Sequence, residues 1–154
     1  KKAQRPENYE KPDSLLHFKN GFEKPTEDKT KAQVLLVEDN LVACKVASSM
    51  LKKAGCSVTE VQSGTEALAL FIDNHFDLIL TDIGLPDFSG LELCKKIRYF
   101  EKQNNETRHV PIIAISGHDK NNLPAYQAQY GLTTMYKKPL KQNELIQLIT
   151  KYYN

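Results

Sequence analysis

The fold of this chain is decided by the stretch DLILTDIGLPDFSGLELCKKI (77–97). It begins with a short, mainly apolar run that ends at Asp82. A turn containing proline and glycine follows, and from Gly90 onward apolar residues recur at helical spacing. The pattern predicts a buried strand, a turn and an amphipathic helix, which together form the repeating unit of a parallel α/β sheet.

The same unit recurs on both sides of this stretch. Apolar runs without polar alternation are typical of strands that helices cover on both faces. Because such strands are joined by right-handed helical crossovers, the fold class predicted is α/β, with a doubly wound parallel sheet. Five strands are predicted, at VLLVE (34–38), SVTEV (57–61), DLILTD (77–82), PIIAIS (111–116) and TTMYK (133–137).

Five helices are predicted between and after the strands. The second opens at Ser63, with Glu66 three positions later at the spacing of a capping box. In the third, the basic residues Lys95, Lys96 and Arg98 are interpreted as a solvated face. The apolar face of the first helix is predicted to be Ala43, Val46, Ala47, Met50, Leu51 and Ala54.

Composition divides the chain near residue 33. Residues 1–32 hold eight Lys or Arg, six Asp or Glu, three prolines and few apolar side chains. Such a segment buries too little apolar surface to offset the entropy of ordering. We therefore expect a flexible charged linker over 1–32 and one folded domain over 33–154.

Several classes of function are excluded by charge and composition. The net charge of +2, which arises within residues 1–32, is too small to indicate nucleic-acid binding, so none is expected. No apolar run approaches the roughly 20 residues of a membrane helix, so no membrane contact by this segment is expected. Three cysteines without CxxC spacing fit neither a disulfide framework nor a zinc knuckle, and they favour a reducing, cytoplasmic location.

Chemistry-bearing residues stand where the predicted strands end. Ligands of doubly wound sheets bind beyond the carboxyl ends of the strands. Glu38 and Asp39 end the first strand, Asp82 the third and Ser116 the fourth, and Lys138 follows the fifth.

Carboxylates brought together in this way need a cation. Two unit charges about 4 Å apart repel by about 4 kcal/mol at an effective dielectric constant near 20. Mg²⁺ relieves that repulsion and suits a site of few carboxylates and water. Lys138 and Ser116 then supply a cation and a hydroxyl for the oxygens of a phosphoryl group.

Each of these residues also has a purely structural interpretation. Asp39 or Asn40 is a suitable N-cap for the first helix, and Asp82 alone fits a turn. The occurrence of all five residues at the appropriate strand ends of one short domain favours a phosphate and metal site over coincidence.

The sequence resembles the receiver domain of two-component response regulators and hybrid histidine kinases. The resemblance covers roughly residues 33–153, and it implies a flavodoxin-like (βα)₅ fold with strand order 2-1-3-4-5. The motifs that carry it are VLLVEDN (34–40), DLILTDIGLPDFSGLE (77–92), PIIAISGH (111–118) and KKPL (137–140).

The resemblance also implies roles for individual residues. Asp82 would be the phosphoacceptor, and Glu38, Asp39, Asp82 and the backbone carbonyl of Gly84 would hold Mg²⁺. Ser116 would be the switch hydroxyl, Lys138 the phosphate-binding lysine, and Pro139 would follow a cis peptide bond. The donor would be a histidine kinase or a histidine phosphotransfer domain. Such a segment accepts a phosphoryl group and loses it by its own hydrolysis, and is not otherwise an enzyme.

Two features depart from the common pattern of the family. Met135 stands three residues before the lysine, at the switch position where the family usually has Tyr or Phe. The stretch 99–110 is longer and more polar than in many stand-alone regulators, as is frequent in receivers fused to kinases. The preferred context is the C-terminal receiver of a hybrid sensor histidine kinase whose parent chain is anchored in the inner membrane, and a stand-alone regulator is the alternative.

Three other functions are compatible with parts of this pattern. A haloacid dehalogenase-type phosphatase would need a second aspartate two positions after Asp82, where the chain has Gly84. A nucleotide- or flavin-binding module would need a glycine-rich loop after the first strand, and EDNLVA (38–43) has no glycine. A degenerate receiver that binds partners without phosphorylation remains the alternative.

Overall fold

The computed structural model describes residues 31–117 and 122–153. Nearly all of the predicted linker therefore lies outside the described residues. Strands and helices alternate along the rest of the chain, each within a few residues of its predicted position. They are β1 Gln33–Val37, α1 Leu41–Lys53, β2 Ser57–Val61, α2 Gly64–Asp73, β3 Leu78–Asp82, α3 Gly90–Gln103, β4 Ile112–Ser116, α4 Leu123–Tyr130, β5 Thr134–Lys137 and α5 Gln142–Tyr152.

The five strands form one parallel sheet in the order β2-β1-β3-β4-β5. This confirms the predicted class and strand order. Successive side chains of a strand point to opposite faces, so each strand supplies both sides of the core. In β1, Leu35 joins the cluster covered by α2, α3 and α4, whereas Leu36 joins the cluster covered by α1 and α5.

Polar caps place the starts of the helices at the carboxyl edge of the sheet. Asn40 caps α1 by accepting a hydrogen bond from the Ala43 N–H at 3.0 Å. Ser63 caps α2 through the Glu66 N–H at 3.2 Å, as its capping-box spacing predicts, and Ser89 caps α3. No more than three residues separate β1 from α1 and β2 from α2, whereas the loop before α3 spans residues 83–89.

The predicted apolar face of α1 is wrong at Val46, which is 56% exposed. The residues that α1 buries fully are Cys44, Ser48 and Leu51. Since successive helical residues are about 100° apart, a face centred on Cys44 leaves Val46 pointing away from the sheet. Leu41 and Val42 are likewise exposed, so this end of α1 presents apolar side chains to solvent.

The predicted solvated face of α3 is wrong at Arg98. Its Nη1 lies 2.8 Å from Glu101 Oε1, and its Nε donates to the Gly131 carbonyl at 2.9 Å. Glu101 is 2% exposed and accepts a hydrogen bond from the Val110 N–H at 2.8 Å. Arg98 therefore ties α3 to the segments that precede β4 and β5.

None of the helices in the described part of the chain has the length and apolar character that a membrane crossing needs.

Candidate functional site

Three carboxylates meet at the carboxyl edge of the sheet. Glu38, Asp39 and Asp82 each have a carboxylate oxygen within 4.8 Å of the others. The sheet register explains this convergence, because Val37 of β1 pairs with Thr81 of β3 and the next residue of the chain in each case is acidic, Glu38 after Val37 and Asp82 after Thr81. Glu38 is 6% exposed, Asp82 is half-buried, and Asp39 is open to solvent.

Lys138 joins two of these carboxylates. Its Nζ lies 3.0 Å from Asp82 Oδ2 and 3.3 Å from Glu38 Oε1. The Lys138 N–H donates to the Ser116 carbonyl at 2.7 Å, so the backbone at the end of β4 fixes the base of the lysine. The Lys138–Pro139 peptide bond is cis.

The local electrostatics follow from burial and from the ion pairs. Burial raises the pKa of Glu38, and the neighbouring Asp82 raises it further. Burial alone would lower the pKa of Lys138, but hydrogen bonding and charge attraction from Asp82 and Glu38 outweigh it and the pKa is raised. The lysine therefore stays charged at neutral pH and compensates part of the negative charge.

Ser116 and Met135 lie on the neighbouring strands β4 and β5. Ser116 is the last residue of β4, is 4% exposed, and pairs in register with Lys137 of β5. Met135 is 1% exposed and packs in the core beneath α2, α3 and α4. Tyr136, the next residue, packs against the opposite core cluster, so the aromatic residue adjacent in sequence to the predicted switch position lies on the other face of the sheet.

Gly84 lies in the loop of residues 83–89 that joins Asp82 to α3. Its N–H donates to Asp82 Oδ1 at 3.3 Å. Farther along the loop, the Gly90 N–H donates to the Ile83 carbonyl at 2.8 Å, which closes the turn. The residue proposed as a metal ligand through its carbonyl is thus held next to the proposed phosphoacceptor.

The acidic cluster suits a hard divalent cation. All of its side-chain donors are carboxylate oxygens, which Mg²⁺ and Ca²⁺ prefer. One carboxylate oxygen of each residue lies within 4.8 Å of the others, a separation at which the three could hold one metal ion. Glu38, Asp39 and Asp82 therefore fit a Mg²⁺ site.

Sequence reasoning missed Asp87 as a residue of this region. It lies in the loop after Asp82, and its carboxylate accepts hydrogen bonds from the backbone of Gly64 and Thr65. The partners are 23 and 22 residues away in sequence, and no local pattern in the sequence signals that contact.

The chain is similar to known proteins in sequence and in fold. Residues 34–150 match the family model of the response regulator receiver domain. The polar-differentiation response regulator DivK of Brucella ovis is 34% identical over 119 residues, which span 77% of this chain and 94% of DivK.

Two solved structures are similar to this chain and informative about the site. One is the receiver domain of the Pseudomonas aeruginosa sensor histidine kinase PA1611, with a magnesium ion coordinated in its active site cleft. It matches this chain with a TM-score of 0.66 and 34% sequence identity, and the match covers 79% of this chain and 97% of the PA1611 receiver chain. The other is the receiver domain of Ssk1 from Saccharomyces cerevisiae, in complex with the histidine phosphotransfer protein Ypd1. It matches with a TM-score of 0.68 and 31% sequence identity, and the match covers 79% of this chain and 88% of that one. The chain belongs to the response regulator receiver domain family of two-component signalling.

Proposed function

We propose that Asp82 is the phosphoacceptor of this receiver domain and takes a phosphoryl group from a phosphohistidine. The observation that carries the proposal is the position of its carboxylate, 3.0 Å from the Lys138 ammonium and beside Glu38 and Asp39. A half-buried carboxylate that is paired with a lysine at a metal-competent edge of the sheet is placed for nucleophilic attack on phosphorus.

In the transfer step, an oxygen of Asp82 forms a bond to phosphorus while the bond from phosphorus to the donor histidine nitrogen breaks. The electron pair of that bond returns to the imidazole ring. Lys138 then binds an oxygen of the transferred group, and the Ser116 hydroxyl donates to another. Attack by water later breaks the acyl phosphate and restores the Asp82 carboxylate.

Glu38, Asp39 and Asp82 would hold Mg²⁺ through their carboxylates, and Gly84 through its carbonyl. The bound ion would supply positive charge that lets an anionic nucleophile approach an anionic phosphoryl group. The magnesium-containing cleft of the PA1611 receiver supports this assignment.

The exposed apolar end of α1 is proposed as the place where the donor protein docks. Leu41, Val42 and Val46 are 60%, 74% and 56% exposed, and α1 begins directly after the acidic pair. A protein seated on this end of α1 can bring a histidine to Asp82. The donor would be a histidine kinase or a histidine phosphotransfer domain, as the complex of the Ssk1 receiver with Ypd1 supports.

Phosphorylation is proposed to alter the surface formed by β4, α4 and β5. Ser116 ends β4 and Lys138 follows β5, so both would move toward the transferred group and carry these elements with them. Because Met135 occupies the usual aromatic position in a closed core, the response would proceed without a swinging ring.

The wider context is a proposal as well. Residues 33–154 would form the receiver and 1–32 a charged linker to a preceding part of a hybrid sensor histidine kinase, with the receiver working in the cytoplasm. The polar stretch of residues 99–110, which runs from the end of α3 into the loop before β4, supports this context over a stand-alone regulator.

Borohydride trapping tests the assignment of the acceptor. The domain would be phosphorylated with acetyl phosphate and Mg²⁺, reduced to convert any acyl phosphate to an alcohol, and mapped by peptide mass spectrometry. Reduction at position 82 alone is expected. Reduction at Asp39 or Asp87 instead would contradict the assignment.

A further inference from the structure

We propose that Asp87 is a positioning residue that anchors the loop of residues 83–89 to the N-terminus of α2 and thereby strengthens Mg²⁺ binding at the acidic cluster. The inference rests on the proposed function, because it assigns Gly84 of that loop to the metal site. Asp87 itself is not proposed to touch the metal or the phosphoryl group.

The Asp87 carboxylate makes a compact set of contacts with the first turn of α2. Oδ1 accepts a hydrogen bond from the Gly64 N–H at 3.0 Å, and Oδ2 accepts one from the Thr65 N–H at 2.8 Å. The Thr65 hydroxyl also donates to Oδ2. One side chain thus satisfies two backbone donors that have no partner within the helix.

The chemistry of a helix N-terminus favours an anion at this place. The first turn of α2 carries partial positive charge, and the carboxylate lies directly against it. Burial raises the pKa of Asp87, but the hydrogen bonds from Thr65, Phe88 and Gly64 outweigh it, so the pKa is lowered from its usual value. Asp87 is therefore charged at neutral pH and binds the helix as an anion.

A second contact seats the same loop on the same turn. The Phe88 ring packs so closely on Gly64 that a β-carbon at Gly64 would come within 2.4 Å of it. The Phe88 N–H donates to Asp87 Oδ1 at 2.9 Å, which orients the carboxylate. The middle of the loop is thus held by a polar and an apolar contact to α2.

The contacts of Asp87 affect the proposed metal site because few residues separate Asp87 from Asp82, and Gly84 is one of them. The loop follows Asp82 directly, and its two ends are held together where the Gly90 N–H donates to the Ile83 carbonyl. Gly84 is exposed and makes the longer contact of 3.3 Å to Asp82 Oδ1. Fixing Asp87 restricts the positions open to the Gly84 carbonyl, so less order must be imposed when a cation binds.

The chain offers a matched control in Ser63. Its hydroxyl caps the same helix by accepting from the Glu66 N–H at 3.2 Å, but it directly precedes α2 in the chain, and among the described residues its side-chain hydrogen bonds are to Glu66 and not to the loop. Ser63→Ala and Asp87→Ala both remove a cap from α2, and only the second frees the loop. The two variants therefore separate weakening of the helix from loss of the anchor.

Isothermal titration with Mg²⁺ tests the proposal on the folded wild type, Asp87→Ala, Asp87→Asn and Ser63→Ala. We expect the Mg²⁺ dissociation constant of Asp87→Ala to rise about tenfold, the scale of losing a group that orients a metal ligand. Asp87→Asn, which keeps an oxygen acceptor, should lie between Asp87→Ala and the wild type, and Ser63→Ala should bind Mg²⁺ as the wild type does. Amide hydrogen exchange should become faster at Gly84 in Asp87→Ala and stay unchanged in Ser63→Ala.

Equal Mg²⁺ affinity in wild type and Asp87→Ala, or equal weakening in Asp87→Ala and Ser63→Ala, would overturn the anchor. Phosphorylation of the wild type by acetyl phosphate is measured in parallel with the Mg²⁺ titrations. If the wild type gains phosphate while Asp87→Ala and Ser63→Ala bind Mg²⁺ alike, the anchor is contradicted and the proposed function stands. If the wild type binds Mg²⁺ and gains no phosphate, the proposed function is contradicted, whatever the affinities of the variants.

Discussion

Gly90 lies against the backbone carbonyl of Asp82, so close that a β-carbon at position 90 would come within 2.2 Å of that oxygen. The first residue of α3 is thereby packed on the last residue of β3. The start of α3 therefore packs directly on the backbone of the proposed phosphoacceptor. A side chain at position 90 would have to displace either the end of β3 or the start of α3.

Gly90→Ala is expected to destabilise the domain by about 1–3 kcal/mol, the range for forcing extra atoms into a packed site. Urea unfolding measures the change. Gly117→Ala is the control, because none of the described residues comes within 4 Å of a β-carbon there and the backbone of Gly117 is not left-handed. Equal stability of Gly90→Ala and the wild type would show that α3 does not need this close approach.

Lys138→Met is expected to slow phosphoryl uptake about a hundredfold, the scale of losing one preorganised donor to a developing charge. The rate of phosphorylation by acetyl phosphate at saturating Mg²⁺ measures it. Lys137→Met changes the adjacent, exposed lysine of β5 and should keep the wild-type rate. A Lys138→Met domain that takes up phosphate at the wild-type rate would remove Lys138 from the mechanism.

Glu101→Ala is expected to lower the free energy of unfolding by about 3–5 kcal/mol. The substitution leaves the Arg98 guanidinium without its carboxylate and the Val110 N–H without its acceptor in a buried setting. Chemical denaturation is again the measurement. The control is Lys102→Ala, at the exposed neighbour on α3, which should change the free energy of unfolding by no more than about 0.5 kcal/mol. A similarly small change in Glu101→Ala would show that the bonds of Glu101 to Arg98 and Val110 contribute little to stability.

The thiols are expected to be inert in the folded domain. Cys44, Cys56 and Cys94 are buried, and burial raises the pKa of each to about 11. Because the thiolate is the reactive form, native protein at pH 7 should resist maleimide for hours, and the unfolded chain should take up three labels. Rapid labelling of one thiol in the native protein would reveal local opening at that residue.

The sheet and the acidic cluster could be predicted from the sequence because both depend on local patterns. Apolar runs mark the strands, and in a parallel sheet the residues after them come together at one edge, as Glu38 and Asp82 do. The metal and phosphoryl roles assigned to those residues stay predictions until they are measured.

Other features could not be predicted, because the signals for them are not local. The hydrogen bond from Arg98 to Gly131 spans 33 residues, and that from Gly64 to Asp87 spans 23. Val46 was misplaced for a different reason, since helical spacing alone allows more than one stripe of α1 to face the sheet. Packing against β1 and β2 decides which stripe is buried.

The intact mass of the domain after incubation with acetyl phosphate and Mg²⁺ tests the central claim most directly. The account predicts a gain of one phosphoryl group in the wild type, no gain in Asp82→Asn and no gain in the wild type with EDTA. A folded wild-type domain that gains nothing, or an Asp82→Asn domain that gains as much as the wild type, would contradict it.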